Sequence, residues 1–370
     1  MNTWILGRGP QHFRAVATPG LEDIVAAELT ALGMEITERD PGGVGFTGRP
    51  LDAMTVNFLS RTTERVWARA TDFRARSFSE LFQKTRRLNW SRVLQPGGPI
   101  EVVAASHGSR LTHTTRIGDA IVKALGATTT AGDVPVQKLL ARIVDDRCTL
   151  SVDMSGDRLH MRGYRTDGAS APLRETRAAG LLHWAGWTPG TPLYDPCCGS
   201  GTFLIEAALA AAGVAPGTHR SFAFEHWPKY DVAGFRKLKT EAAGEPVPTP
   251  ISGSDAAALA VKATQENAAR AGTPIEVAEA TFENVQLPES AGLLIANPPY
   301  GKRVRADLGD TWRQLGALYA RAPAWNRVIL SPNKRLYDAF QAGFGGAEPT
   351  ARLEFHHGGL RIQALRWGPS

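Results

Sequence analysis

Two stretches hold the residues whose types and spacing suit chemistry. Leu193-Tyr194-Asp195-Pro196-Cys197-Cys198-Gly199-Ser200-Gly201-Thr202 runs from an apolar segment through a carboxylate and a tight glycine turn into a helical pattern. This is how a parallel-sheet domain lets its backbone approach a cofactor. Leu293-Leu294-Ile295-Ala296-Asn297-Pro298-Pro299-Tyr300-Gly301 places an amide, two prolines and an aromatic ring just past a second apolar run. Ligands of open α/β sheets bind outside the carboxyl ends of the strands, so both loops are expected at one site, one cradling a cofactor and the other holding a planar amine. A Gly-x-Gly turn alone is common. The nicotinamide fingerprint needs a third glycine where this chain has Leu204, and Asp195 suits a cationic amino group better than a pyrophosphate. The expected cofactor is therefore S-adenosylmethionine.

The elements that must position these loops read as an alternating α/β pattern. Helix 173–187 precedes the glycine loop, and helix 202–212 after it is apolar nearly all round, as a helix packed deeply on a sheet must be. Strand 252–255 ends in Asp255 ahead of helix 256–271, where a carboxylate can take ribose hydroxyls or cap the helix. Strand 275–279 ends in Glu279, a candidate for the adenine amine. The cofactor-binding set is thus Asp195, Pro196, Cys198, Gly199, Ser200, Gly201, Asp255, Glu279 and Asn297. Strand 327–330, helix 335–342 and a hairpin of 352–355 with 360–367 follow, giving a mostly parallel sheet with a terminal antiparallel hairpin. Residues 216–250 read as an insertion that mixes aromatics with charge, and spacing does not decide whether it touches the cofactor pocket or the substrate.

Upstream, strand 13–17, a helix from Leu21 to Leu32, strand 44–48 and a helix from Pro50 make a small α/β unit. Strand 100–105, a helix ending at Leu125, a hairpin of 139–144 with 148–152, and a strand over 159–165 come next. From Arg61 to Arg92 nine basic residues meet three acids, interleaved with Trp67, Phe73, Phe78, Phe82 and Trp90. Solvated arginines around core aromatics explain any one of them. As a set, Lys84, Arg86 and Arg87, with Arg116, Lys123, Lys302 and Arg303 elsewhere, suggest contact with RNA phosphates.

Composition bounds the class. With 370 residues and 43% hydrophobic content the chain holds more than one core. Net charge is +6, and residues 1–165 carry 22 Lys and Arg against 17 acids while 166–370 carry 20 against 19, which favours an acidic polymer as partner of the first half. No apolar run reaches membrane-span length and the first ten residues lack a signal pattern, so a cytoplasmic protein is expected. Cys148, Cys197 and Cys198 draw neither a disulfide framework nor a metal-ligand spacing, and no metal is expected. A shift to Gly, Ala, Ser and Pro over 166–172 marks a domain boundary.

At this point the chain resembles a known family, the class I S-adenosylmethionine-dependent RNA methyltransferases with a THUMP domain, and within it the branch that methylates the guanine amine of large-subunit ribosomal RNA. The resemblance is carried by Ala17-Thr18-Pro19-Gly20-Leu21-Glu22, the run from Asp153 to Arg165, Ala171-Pro172-Leu173-Arg174-Glu175-Thr176, the Asp195 loop, and Asn297 to Gly301. It implies an α/β chain with a ferredoxin-like unit over 1–62, a THUMP RNA-binding domain over 63–165 and a Rossmann-like methyltransferase domain over 166–370. It also implies that Asn297 and Pro298 accept hydrogen bonds from the target amine, with Pro299 and Tyr300 completing the loop and Tyr300 stacking on an extruded base. The product expected is N2-methylguanosine in 23S ribosomal RNA. Guanine methylation of transfer RNA is the alternative, followed by a DNA adenine amino-methyltransferase, a non-catalytic RNA-binding factor and a nicotinamide oxidoreductase.

Overall fold

The computed structural model describes residues 2–3, 5–7, 9–129, 134–165, 173–273, 275–300 and 308–369, with the side chains of 2 and 3 left aside. In chain order the elements are β1 (Asn2–Thr3), β2 (Gln11–Val16), α1 (Glu22–Ala31), β3 (Glu35–Asp40), β4 (Gly43–Gly48), α2 (Pro50–Leu59), β5 (Arg65–Arg74), α3 (Phe78–Arg86), β6 (Ile100–His107), α4 (Thr114–Leu125), β7 (Gln137–Val144) and β8 (Arg147–Asp153). Then follow α5 (Glu175–Trp184), β9 (Leu193–Asp195), α6 (Thr202–Ala211), a short 3-10 turn at Ala223–His226, α7 (Val232–Glu241), β10 (Ile251–Asp255), α8 (Ala258–Ala271), β11 (Glu276–Glu279), β12 (Leu293–Ala296), α9 (Leu308–Ala320), β13 (Asn326–Ser331), α10 (Lys334–Phe344), β14 (Ala351–His357) and β15 (Leu360–Trp367).

The chain divides into two units that are not contiguous in sequence. One comprises Met1–Ala17, Val25–Leu159 and Gly217–Ala242, the other Thr18–Ile24, His160–Pro216 and Ala243–Ser370. The first unit holds a sheet in the order β3-β4-β2-β5-β8-β7-β6, with β1 on β5. The order β2-α1-β3-β4-α2-β5 is the ferredoxin-like pattern. β6 and β7 run parallel, and the other pairs of this sheet antiparallel. β3, which alternates half-buried with exposed residues, carries too little apolar signal to stand out in sequence.

Of the insertion, Gly217–Ala242 lies within this first unit. Phe222, Phe224 and Phe235 are almost wholly buried, stacking at 5.2 Å and meeting edge-on at 4.8 Å, and Phe235 meets Phe58 of α2 edge-on at 5.9 Å. Trp227 donates to Gln137 at 2.7 Å, and Arg220 donates to the carbonyls of Arg158, Ser155 and Asp157. Three phenylalanines close in sequence need an apolar bed, and α2 supplies it. This part of the insertion is therefore an aromatic strap on the N-terminal fold.

The second unit is a seven-stranded sheet in the order β11-β10-β9-β12-β13-β15-β14. Its first five strands are parallel, while β15 runs antiparallel to both β13 and β14. The chain leaves β9 outward through β10 and β11 and returns to its other side at β12, so the switch point falls between β9 and β12. Every residue of α6 but Ala210 is buried, as its apolar sequence requires. Leu21 and Ile24 join this unit's core with Leu181, Phe203 and Ile295. Residues 159–165 form turns, not the expected strand, because Arg162 and Tyr164 turn inward to reach Glu206. Among the described residues no helix is long and apolar enough to cross a membrane.

Candidate active site

The carboxyl ends of four parallel strands converge on the residues singled out by sequence. β9 ends in Asp195, β10 in Asp255, β11 in Glu279, and β12 leads into Asn297. Register pairs Asp195 with Gly253 and Asp255 with Glu279, so these groups share one edge of the sheet. Lys302 and Arg303, named by sequence beside them, lie outside the described residues.

The glycine loop is held from inside. Gly199 and Gly201 have φ of +58° and +81°, the left-handed region open to glycine. A Cβ on Gly201 would lie 2.6 Å from Thr264, whereas one on Gly199 would meet nothing within 4 Å. Gly201 is thus glycine for packing, and Gly199 for keeping the approach open. The Gly199 N–H donates to Asp255 at 2.9 Å, and the Cys198 N–H to the Ser254 carbonyl at 2.9 Å. Asp255 also accepts from the Ala257 N–H at 3.0 Å, while Ala257 occupies the cap position of α8. Both Asp255 oxygens therefore carry one internal bond, and each keeps a lone pair for a hydroxyl. Glu279 is exposed beside it.

Asp195 is 2% exposed and accepts from the Cys197 N–H at 3.1 Å. Burial pushes its carboxyl up to about 8, the nearby Asp255 charge adds to the rise, and the Cys197 bonds oppose it. A buried carboxyl in that condition is suited to a cationic ligand, which restores its ionised form. Cys197, passed over by the sequence reading in favour of Pro196 and Cys198, is the residue whose backbone N–H holds the Asp195 carboxylate. Burial raises both thiols, Cys197 and Cys198, so neither is a ready nucleophile.

The second loop differs. Trp312 of α9 donates to the Pro299 carbonyl at 3.0 Å and fixes the turn, and Tyr300 is half-buried against both cores of this unit. The Oδ1 of Asn297 is buried and accepts no hydrogen bond among the described residues. Burial raises the Tyr300 phenol, and the Arg177 guanidinium opposes it. Arg177 in turn donates to Thr18 at 3.0 Å and lies 2.8 Å from His357 Nδ1. That arrangement requires the ring nitrogen to accept, and burial with the Arg177 and Arg174 charges lowers His357 to about 4.

A glycine loop, three acidic strand ends and an amide oxygen without a partner among the described residues thus meet at one switch point. Residues 162–359 match the RMKL-like methyltransferase domain, 12–67 the RlmL ferredoxin-like domain, and 75–153 the THUMP domain. The chain belongs to the RMKL-like methyltransferase family. Its relatives within that family include the putative RNA methyltransferase slr0064 of Synechocystis, 34% identical over 96% of each chain. The ribosomal RNA large subunit methyltransferase K/L of Methylococcus capsulatus is 35% identical over 90% of this chain and 48% of its own length. Among solved structures, SMU.472, a putative methyltransferase complexed with SAH, superposes with a TM-score of 0.87 at 28% identity and covers 100% of this chain and 99% of its own.

The RMKL-like fold also brings in residues that the sequence reading missed. Thr264 and Asn267 lie three apart on α8, hence on one face, and donate to the Gly199 and Ser200 carbonyls, each at 2.9 Å. The spacing was visible, but the loop they serve lies more than sixty residues upstream. The basic candidates among the described residues lie in the first unit. Arg86 and Arg87 at the end of α3 are exposed, as are Arg116 and Lys123 on α4. Arg116 sits 4.3 Å over the Phe78 ring, and Lys84 donates to the Arg74 carbonyl at 2.5 Å.

Proposed function

We propose that this chain transfers a methyl group from S-adenosylmethionine to the exocyclic amine of guanine in RNA, with N2-methylguanosine in large-subunit ribosomal RNA as product. The observation that carries the reading is the Asn297 Oδ1 on the loop beside Asp195, buried and without a partner among the described residues. A buried acceptor left without a donor loses about 1–3 kcal/mol, so its retention points to a donor that arrives with the substrate.

The residues present fit the cofactor: Asp195 and the open face of Gly199 suit its amino acid end, Asp255 its ribose and Glu279 its adenine. When bound, S-adenosylmethionine supplies an electrophilic methyl group on a sulfonium. The guanine amine is a weak nucleophile because its lone pair is delocalised into the ring. Asn297 Oδ1 and the Pro298 carbonyl accept its two N–H groups, which favours a tetrahedral nitrogen and the positive charge that develops there. Tyr300 offers a stacking face for the extruded base, offsetting part of an unstacking cost of a few kcal/mol. Positioning and electrostatics carry the reaction, with no strong base required.

RNA is proposed as substrate on the THUMP match and on exposed Arg86, Arg87, Arg116 and Lys123, with Lys84 beside them. We assign segment 1–62 to the ferredoxin-like unit, 63–165 to RNA engagement and 166–370 to chemistry. Ribosomal RNA is favoured by the large-subunit relative. Labelled cofactor is incubated with large-subunit RNA or with total transfer RNA and the nucleosides are separated by mass spectrometry. N2-methylguanosine in the former is expected. Label in transfer RNA alone moves the substrate there, and N6-methyladenosine rejects the guanine assignment.

A further inference from the structure

The segment from Arg162 to Arg165 buries Arg162 and Tyr164 in the second unit and is tied to the glycine loop by a route that the reaction itself does not use. Asn267, 4% exposed, donates through Nδ2 to the Ser200 carbonyl at 2.9 Å and accepts through Oδ1 from Arg270 Nη2 at 2.5 Å. Arg270 Nε donates to the Tyr164 carbonyl at 2.8 Å. The guanidinium thereby fixes which way the amide faces, because only the amide oxygen can accept from it and only the nitrogen can then donate to the loop. Residues 264, 267 and 270 form one stripe along α8, and the first two take loop carbonyls.

A second tie runs alongside. Arg165 donates to Thr202, the first residue of α6, at 2.5 Å and pairs with Glu175 at 3.6 Å. The far end of the segment is anchored in turn: the Tyr164 ring lies among Ile205, Leu209, Ala268 and Ala271, and its hydroxyl and Arg162 meet the two oxygens of buried Glu206 at 3.3 and 3.5 Å. A carboxylate so deeply placed in an apolar helix is tolerated only when paired and hydrogen-bonded.

We propose that Asn267 and Arg270 are positioning residues for the cofactor loop, holding the Ser200 carbonyl turned toward α8 so that Gly199 and Asp195 face the ligand, with the Tyr164 backbone as their fixed point. The inference rests on the cofactor reading above. Without the Asn267 bond the Ser200 peptide is free to rotate, and the loop must be ordered at the expense of binding.

The test compares the full-length protein with Asn267→Asp and Arg270→Gln. Asn267→Asp keeps the partner of Arg270 but sets an oxygen against the Ser200 carbonyl, and Arg270→Gln leaves Asn267 in place without its anchor. Calorimetry with S-adenosylhomocysteine is expected to show a Kd raised about tenfold or more for Asn267→Asp and a smaller rise for Arg270→Gln, the scale of one unsatisfied buried group. Steady-state assays should show a raised KM for the cofactor with kcat at saturation within about twofold, since uniform binding is what is lost. General loss of folded protein would instead lower kcat at unchanged KM. Unchanged affinity in the folded Asn267→Asp protein, or a fall in kcat alone, overturns the assignment. If Asn267→Asp fails to fold, the affinity of Arg270→Gln decides in the same way. Wild-type protein that binds no S-adenosylhomocysteine overturns the cofactor reading, and this inference with it.

Discussion

The loop after β9 and the loop after β12 sit side by side at one switch point, yet they are built on opposite terms. In the first, the Gly199 and Ser200 carbonyls and the Gly199 and Cys198 N–H groups all find partners within the protein. In the second, the peptide is anchored through Pro299, but the side-chain amide of Asn297 keeps a buried oxygen without a partner among the described residues. A loop that only has to hold a shape spends its polar groups on itself. A loop that stabilises developing charge must keep one back.

That contrast is tested hardest at Asn297. Asn297→Ala should slow single-turnover methyl transfer by about a hundredfold, the scale of one lost electrostatic contact, with the affinity for S-adenosylhomocysteine nearly unchanged. Equal rates would place Asn297 among the scaffold residues and erase the distinction between the loops.

Asp195 comes next. Its folded pKa of about 8 lies above the unfolded value of 3.8, so its contribution to the stability of ligand-free protein is fully present below the unfolded value and is lost as pH rises toward 8. Asp195→Asn removes that loss. The ligand-free variant should melt higher than wild type at pH 8, with the difference vanishing near pH 4, and should bind S-adenosylhomocysteine about tenfold more weakly or worse. The rise in wild-type affinity between pH 6 and pH 8, from deprotonation of this group, should also disappear. A wild-type melting curve more stable at pH 8 than the variant's would contradict the buried-carboxyl account.

The two glycines separate shape from access. Gly201→Ala combines a left-handed φ with a Cβ 2.6 Å from Thr264, and should destabilise the fold by about 2 kcal/mol or more. Gly199→Ala, with open space around it, should lose about 1 kcal/mol of stability from φ alone but a larger share of ligand affinity. Chemical denaturation with calorimetry on both variants distinguishes them, and the reverse order would mean that Gly199 is the packed position.

The smallest effect belongs to the anchor of the second loop. Trp312→Phe removes the bond to Pro299 while keeping most of the ring in its pocket, and should lower kcat a few-fold through a loss of about 1 kcal/mol. No change in kcat would show that the prolines alone hold the turn.

Much of this was legible in the amino-acid order because the chemistry is local there. Asp195, Gly199, Gly201 and Asn297 stand next to apolar runs whose length and composition make strands, and a strand end in a parallel sheet is where such residues act. The N-terminal basic excess was equally visible as composition, and α3 and α4 present Arg86, Arg87, Arg116 and Lys123 outward. Tertiary structure alone decided what depends on partners far along the chain. Thr264 and Asn267 became loop residues only once α8 was laid beside the β9 turn, and Thr18 only when it met Arg177. Residues 159–165 alternate like a strand, yet a strand would leave Glu206 buried without Arg162 and Tyr164. The spacing of the insertion's phenylalanines did not say what they pack on, and they form a strap because Phe58 of α2 offers them apolar cover. Periodicity records which face of an element is buried, but not against what, and the partner sets the function of a buried polar group.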